Sequence, residues 1–225
     1  MQLPDAVPIM TLPSATLFPQ ALLPLYIFEP RYRRMLADAL RSNRMFSVAM
    51  QKPGRSRETP CPIAGLGLIR VSVDHTDGTS HLILQGLTRV KLAETVQYKP
   101  YRVQRIQPLA AEEADNVTVD ALIAKVHELV EQRLELAPFP SPLPIKKGKE
   151  AGPHEPTVFT KTEVLNYLGK LPSADQVADL VTCALLSDAG ERQTILETVP
   201  VEPRLKHLIH FLMAEITRRR KNPTA

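Results

Sequence analysis

Histidine and cysteine are the side chains whose spacing in this sequence comes nearest to a metal site or a nucleophile site. His207 and His210 are three residues apart in a stretch with helical periodicity, so both imidazoles could share one helix face and one metal ion. No third ligand accompanies them, and we interpret them as partly exposed helix residues. Cys61 stands between two prolines with no paired base, which favours a buried or half-buried free thiol over a nucleophile.

The short signatures of common enzyme classes are missing from the sequence. GxSxG, HExxH and GxGxxG do not occur, and Gly148-Lys149 lacks the flanking residues of a phosphate-binding loop. We therefore expect no catalytic residue, no metal, no cofactor and no enzymatic activity. A hydrolase with an unrecognised site is the alternative to that expectation.

Length and composition are those of a globular protein. The 225 residues suit one large domain or two small ones, and 44% hydrophobic with 23% charged residues excludes wholesale disorder. Two distant cysteines exclude a disulfide scaffold and favour a reducing compartment. The start of the chain has no basic segment and is broken by prolines, so we expect a cytoplasmic protein without a membrane span.

Charge is unevenly distributed along the chain. The stretch from Arg31 to Arg57 is basic, with Asp38 as its only acidic residue, and the stretch from Glu112 to Glu135 is mainly acidic. Two solvated faces are the simpler interpretation. The basic stretch nevertheless keeps RNA binding open as an alternative function.

The first half of the sequence predicts strands interrupted by one helix. Pro30 suits the first turn of a helix, and the apolar residues that follow recur at helical spacing: Tyr32, Met35, Leu36, Ala39 and Leu40. Strands are predicted at Phe46–Met50, Ile63–Val73, His81–Gln85, Arg89–Leu92 and Tyr101–Ile106. Several short strands around one helix indicate a small, closed or partly closed barrel.

The second half predicts helices. Val119–Leu136 has helical spacing, the pattern resumes near Thr162, and Ser173 and Asp188 suit helix N-termini. The stretch from Ala137 to Pro156 holds six prolines and cannot be a helix interior.

One motif is more specific than the rest. Leu17-Phe18-Pro19 is followed by Leu23-Pro24-Leu25-Tyr26-Ile27-Phe28-Glu29-Pro30-Arg31-Tyr32, and further on by Gly86-Leu87-Thr88-Arg89-Val90. These stretches, with the helical segments around Asp175 and Glu191, resemble the N-terminal, substrate-binding (LAN) domain family of Lon proteases. Tyr26 stands where that family often has histidine.

The resemblance implies an α+β fold in two parts. Residues 1–112 would form a PUA-like β-barrel (pseudobarrel) with an intervening helix, and residues 113–225 a helical bundle with a proline-rich insertion at about 137–157. In the family, the module recognises protein substrates for an ATPase and a protease, whose signatures this sequence lacks. The resemblance thus implies a stand-alone, non-enzymatic module of bacterial type.

Candidate binding residues cluster around the start of the predicted helix: Leu25, Ile27, Phe28, Glu29, Arg31, Tyr32, Arg33 and Arg34. They either fix the corner between a strand and the helix or contact a partner directly. We expect Glu29 to reach free N–H groups of the first helical turn and to pair with Arg33, four residues on.

The leading functional hypothesis is a module that holds unfolded or extended polypeptide, as a substrate-recognition, adaptor or chaperone-like component. A separate ATP-dependent protease is a candidate partner, and dimerisation through an apolar patch stays open. RNA binding is the alternative, although Tyr32 and Phe46 are the only aromatic residues near the basic stretch that could stack on bases.

Overall fold

The structure is a computed structural model that describes residues 2–55, 58–110, 117–136 and 160–221. These residues form β1 (Ala6–Leu12), β2 (Leu22–Ile27), α1 (Pro30–Leu40), β3 (Met45–Met50), β4 (Ile63–Asp74), β5 (Ser80–Gln97), β6 (Arg102–Leu109), α2 (Val117–Leu136), α3 (Lys161–Leu168), α4 (Ala174–Leu185), α5 (Ala189–Glu197) and α6 (Val201–Lys221). The predicted α+β class is confirmed. The predicted proline-rich insertion at about 137–157 lies outside the described residues.

The six strands form one sheet that closes on itself. Their order is β2-β5-β4-β3-β1-β6, and β6 also pairs with β5. Closure is possible because β5 is 18 residues long and pairs with β2 along its first part and with β6 along its second. The strand β2 pairs with β5 and is not part of the closed ring. The predicted small barrel is confirmed, whereas its PUA-like character stays a prediction.

Helix α1 covers one end of this sheet's core. It begins at Pro30, and its apolar stripe is buried as predicted, with Tyr32, Met35, Leu36 and Ala39 inside. The stripe packs with strand residues that include Phe46, Leu82 and Leu84. A long apolar stripe at helical spacing buries itself in this way because each of its side chains leaves water.

Two glycines let the segment before β2 cross the sheet at very short range. A Cβ atom on Gly65 would lie 1.9 Å from the Leu17 carbonyl oxygen, and one on Gly86 would lie 1.9 Å from that of Phe18. The β4–β5 register shifts between Leu66 and Gly67, beside this crossing. Glycine is required here because the backbone of another segment occupies the side-chain position.

The chain divides into two compact units. The first consists of residues 1–112 and 188–199, and the second of residues 113–187 and 200–225. Helix α5 therefore belongs to the first unit, where Gln193 donates to the Ile63 carbonyl at 3.0 Å and Arg89 to the Leu196 carbonyl at 3.1 Å. The predicted domain boundary at residue 112 stays a prediction. That prediction assigned the segment of α5 to the helical domain and did not include its placement in the first unit.

The second unit contains α2, α3, α4 and α6. Its interior includes buried ion pairs as well as aliphatic residues: fully buried Arg204 bonds to Asp175 on α4, and Arg133 on α2 lies 3.7 Å from Glu215 on α6. Ser173 accepts a hydrogen bond from the Gln176 amide and so caps α4, as predicted. Throughout the described ranges, no helix has the combination of length and hydropathy that a bilayer span requires.

Candidate partner-binding surface

The corner between β2 and α1 is held by the hydroxyl of Tyr32. The Thr11 amide donates to this hydroxyl at 3.1 Å, and the hydroxyl lies 2.9 Å from a Glu58 carboxylate oxygen. Only 4% of Tyr32 is exposed. Burial and the nearby Glu58 carboxylate raise the pKa of Tyr32, because both disfavour the phenolate. Tyr32 thus anchors the first turn of α1 to β1.

Arg31 completes the corner through two carboxylates. Its guanidinium donates to Glu29 at 2.8 Å, bonds to Glu58, and lies 4.4 Å above the Tyr32 ring. Although burial opposes the charge, the hydrogen bonds to Glu58 and Glu29 raise the pKa of Arg31. Glu29 precedes α1 without capping it through its side chain, so the expected bonds to free N–H groups are not formed. Its ion pair is with Arg31 and not with Arg33 as expected.

The next two arginines of α1 are exposed and differ in their surroundings. Arg34 pairs with Asp38 at 3.1 Å, and Asp38 also accepts the Tyr101 hydroxyl at 3.0 Å. Hydrogen bonds from Tyr101 and Arg34 lower the pKa of Asp38. Arg33 lies against Gly78 in the β4–β5 turn, where an added Cβ atom would meet its guanidinium.

An exposed apolar surface near this corner lies on the outer side of β2, β5 and β4. We call it the β2 face and define it by six exposed residues: Leu22, Pro24, Tyr26, Phe28, Val71 and Val73. The register explains their adjacency, since Pro24 and Val71 both pair with Ile83, and Tyr26 and Val73 both pair with His81. Contiguous exposed apolar residues of this kind mark interaction surfaces.

Aromatic contacts order one end of the β2 face. The Tyr26 ring stacks on Phe28, with centroids 5.8 Å apart, and packs on His81 at 4.7 Å. His81 in turn lies edge-on to His75, with their ring nitrogens 2.6 Å apart. Tyr26 is 49% exposed and Phe28 is 59% exposed. The contacts between these rings nevertheless hold both side chains in position.

The structure separates the predicted binding residues into three groups. Ile27 and Tyr32 are buried, and Leu25 packs against the core. Glu29 and Arg31 are half-buried in the corner. Phe28, Arg33 and Arg34 are exposed, and of these Phe28 belongs to the β2 face.

Tyr26, Val71 and Val73 were not predicted as binding residues, and neither was Glu58 in the corner. No periodic signal distinguishes Tyr26, because every residue of β2 is apolar or aromatic and its alternation between faces is invisible in the sequence. Glu58 comes from a polar loop far from α1 in the chain, so only the fold brings it to Arg31.

The second unit has an apolar groove of its own. It encloses about 390 Å³ between α2, α3 and α4 and is lined by residues that include Val130, Tyr167, Leu168, Leu180 and Leu185. Glu163 also lines this groove, and its carboxylate is engaged by the amide and hydroxyl of Thr160 at the start of α3. The groove therefore offers apolar packing with little polar recognition.

The histidines and cysteines are placed as the sequence indicated. His207 and His210 are exposed on α6 beside Phe211, and Cys61 is buried. Burial raises the pKa of the Cys61 thiol, which disfavours the reactive thiolate. Within the described part of the chain, no three His, Cys, Asp or Glu side chains group as metal ligands would.

Comparison with known proteins gives one consistent family. The model of the ATP-dependent protease La (LON) substrate-binding domain matches residues 6–214. The chain is 26% identical to the Lon protease of Dictyoglomus thermophilum over 218 residues, which are 95% of this chain and 25% of that protein. It thus spans about a quarter of the length of the curated relatives it matches.

Solved structures give the same fold. The N-terminal domain of a Mycobacterium avium complex Lon protease superposes with a TM-score of 0.67 at 19% identity, covering 92% of this chain and 98% of that one. A Lon N-terminal domain protein from Xanthomonas campestris gives a TM-score of 0.62 at 18% identity, with the same coverage of each chain. At such identities the likeness concerns the fold alone.

Proposed function

The chain belongs to the ATP-dependent protease La (LON) substrate-binding domain family, and from this premise we propose that it binds polypeptide segments in an unfolded or extended state. The observation that carries the proposal is the β2 face, an exposed apolar surface beside a strand edge with which no other described strand pairs. Unfolded chains expose the apolar side chains and backbone groups that such a surface can bind.

Within the predicted binding set, we assign contact with the polypeptide to Phe28 and support of the surface to the corner. Phe28 is exposed and stacks on Tyr26. Tyr32, Arg31 and Glu29 fix the first turn of α1 directly after Phe28, so they act on binding through its position. Arg33 and Arg34 border the exposed side of α1 and could meet acidic groups of the bound chain.

The module would contribute recognition without chemistry. Its relatives are called Lon protease, and the chain matches about a quarter of their length. We propose a role in substrate recognition, with a separate ATP-dependent protease as candidate partner and with adaptor or chaperone-like holding as its mode of action. Neither a cofactor nor catalysis by this chain is needed for it.

A fluorescently labelled, permanently unfolded model protein tests the proposal by anisotropy. Saturable binding is expected, and replacing both Tyr26 and Phe28 by alanine should weaken it by about fivefold or more, as truncation of aromatic anchors usually does. Tyr98→Ala is the matched control, since Tyr98 is 70% exposed outside the β2 face. Absence of saturable binding to the wild-type chain would overturn the proposal.

RNA binding is the weaker proposal because three arginines of the basic stretch are engaged within the protein and its candidate stacking residues are buried. Arg31 bonds to Glu29 and Glu58, Arg34 pairs with Asp38, and Arg44 donates to the Ile69 carbonyl. Tyr32 and Phe46, the two aromatic residues considered for stacking, are buried. An RNA titration at two salt concentrations checks this, and tight, steeply salt-dependent binding would reverse the order of the two proposals.

A further inference from the structure

The outer edge of β2 carries unpaired backbone groups. No strand pairs with this edge in the ranges that the structure describes. In an antiparallel pair, alternate residues bond to the partner strand and the residues between them direct their N–H and C=O groups away from it. The Gly86 amide donates to the Ala21 carbonyl at 2.9 Å, which fixes the phase of this alternation. The residues whose backbone groups point outward are therefore Leu22, Pro24 and Tyr26.

We propose that an extended polypeptide segment binds this edge as an additional antiparallel strand, with apolar side chains at alternate positions and a carboxylate at its C-terminal end beside Arg70. The inference rests on the proposed function and names the occupant and its pose. The segment would run antiparallel to β2, as β5 does on the other edge of β2.

The side chains of the β2 face determine which positions of the bound segment should be apolar. Residues directly opposite each other in a sheet place their side chains on the same side. Those of the segment opposite Leu22, Pro24 and Tyr26 would therefore continue the apolar surface formed by these residues with Val71 and Val73. The intervening side chains would lie on the other side of the new strand.

Charge complementarity places the carboxylate. Arg70 is exposed and donates to the Gln85 side chain, and Gln85 pairs with Leu22 at the start of β2. Among the described residues, no carboxylate pairs with Arg70. An antiparallel segment ends at this side of β2, so a C-terminal acidic side chain would extend across Leu22 and Gln85 towards the Arg70 guanidinium on the same face.

Pro24 argues against a second copy of this chain as the occupant. Proline has no N–H, so the edge offers donors at Leu22 and Tyr26 and acceptors at all three outward residues. Two β2 strands paired symmetrically about Pro24 would lose both central hydrogen bonds. A different segment loses only one, because its own N–H still reaches the Pro24 carbonyl. Edge prolines are a common protection against such self-pairing.

The first experiment distinguishes strand pairing from simple apolar contact. The probe is a labelled peptide of alternating valine and threonine that ends in glutamate and is amidated, so that glutamate is the only carboxylate at that end. N-methylation of the valines, whose N–H groups would reach β2, should weaken binding about tenfold or more. N-methylation of the threonines, which point away, should leave binding within about twofold. Equal affinities of the two methylated peptides would overturn the proposal.

The second experiment changes the edge itself. Pro24→Val supplies the missing N–H and should tighten binding of the unmethylated peptide by about 2- to 10-fold, the effect of one added hydrogen bond. Pro108→Val is the matched control, because Pro108 is also exposed and lies on β6, away from β2. On peptide binding, the Leu22 and Tyr26 amides should gain protection from hydrogen exchange. Unchanged exchange at both amides would overturn the assigned edge.

The third experiment tests the charge. Arg70→Gln should weaken binding of the glutamate peptide by about 2- to 5-fold at low salt and leave a glutamine-ended peptide unaffected. Equal effects on both peptides would refute the carboxylate position. If the unfolded model protein binds the wild-type chain but the peptides do not, the strand pose fails while the proposed function stands. If nothing binds, both fail.

Discussion

At the scale of single residues, the Tyr32 hydroxyl is the group on which the strand-to-helix corner depends. It takes a hydrogen bond from the buried Thr11 amide and lies 2.9 Å from a Glu58 carboxylate oxygen. Tyr32→Phe is expected to lower the free energy of unfolding by about 1 kcal/mol, because the ring stays packed while buried polar groups lose their partner. Urea denaturation followed by circular dichroism measures the change.

The control for this prediction is Tyr98→Phe. Tyr98 is mostly exposed, and its contact is a cation–π approach by Arg102 at 5.7 Å. Its hydroxyl should be dispensable. Equal stability of the two variants would show that the corner is held by packing alone.

Glu215 is a buried carboxylate on α6 in the second unit. It is 3% exposed and faces Arg133, Arg218 and Arg219. Burial favours its neutral form, but hydrogen bonds from Arg219 and Arg218 outweigh burial and lower the pKa of Glu215. A depressed pKa in the folded state contributes stability above the unfolded pKa of about 4.3, which is lost as pH falls through the folded value.

Glu215→Gln is therefore expected to cost about 3 kcal/mol of unfolding free energy at neutral pH, since the buried Arg133 guanidinium loses the negative charge of Glu215. The difference from wild type should begin to shrink as pH falls below about 4.3, where the unfolded-state carboxylate is protonated, and should be smallest below the lowered folded pKa, where the folded carboxylate is protonated as well. Chemical denaturation across this pH range measures both effects. Glu202→Gln, which removes a surface pair with Lys206, should change stability by about 0.5 kcal/mol or less. A pH-independent difference would contradict the role of the charge.

At the scale of elements, the close crossing over β5 makes Gly86 a sensitive position. Because a Cβ atom would lie 1.9 Å from the Phe18 carbonyl oxygen, Gly86→Ala must push two backbone segments apart. We expect it to lower the free energy of unfolding by about 2–3 kcal/mol, measured by thermal or urea denaturation.

Gly169 provides the comparison. It ends α3 with φ −67°, and the nearest atom to an added Cβ is 3.5 Å away. Gly169→Ala should thus leave stability unchanged or raise it slightly. If Gly86→Ala were equally neutral, the close approach of the two segments would be refuted.

The same elements show what the sequence can and cannot predict. Helix α1 was predictable because Tyr32, Met35, Leu36 and Ala39 follow the 3.6-residue period, which is a local property. The strand β5 was predicted as two strands on either side of Gly86, and it is one strand because that glycine accommodates the crossing segment. Closure through β5 and β6 depends on pairing between distant residues, for which no local pattern exists.

The candidate surface was predictable to a smaller degree. The motif predicted binding residues around Phe28, but it could not distinguish the exposed Tyr26 and Phe28 from the buried Ile27 and Tyr32. That separation depends on the strand register and on the position of α1. Val71 and Val73 join the β2 face through β4, far from the motif in the chain.

At the scale of the whole molecule, the chain passes between its two compact units more than once. After the helices of the second unit begin, residues 188–199 return to the first unit as α5, and α6 then belongs to the second. Helix α5 bonds to β4 through Gln193 and accepts from Arg89 of β5 at its C-terminal end. The first unit is therefore not complete at residue 112, because it also includes α5 from later in the chain.

This discontinuity predicts how fragments of the chain fold. A fragment of residues 2–110 should be less stable than the same fragment joined through a glycine-serine linker to residues 188–199, because only the second contains the Gln193 amide that donates to Ile63 and the Leu196 carbonyl that accepts from Arg89. Urea denaturation of the two fragments compares them. Gln193→Ala in the joined fragment should remove about 1 kcal/mol of the gain, since its amide bond to Ile63 is lost. Equal stability of the two fragments would instead favour a first domain that ends near residue 112 and needs nothing from α5.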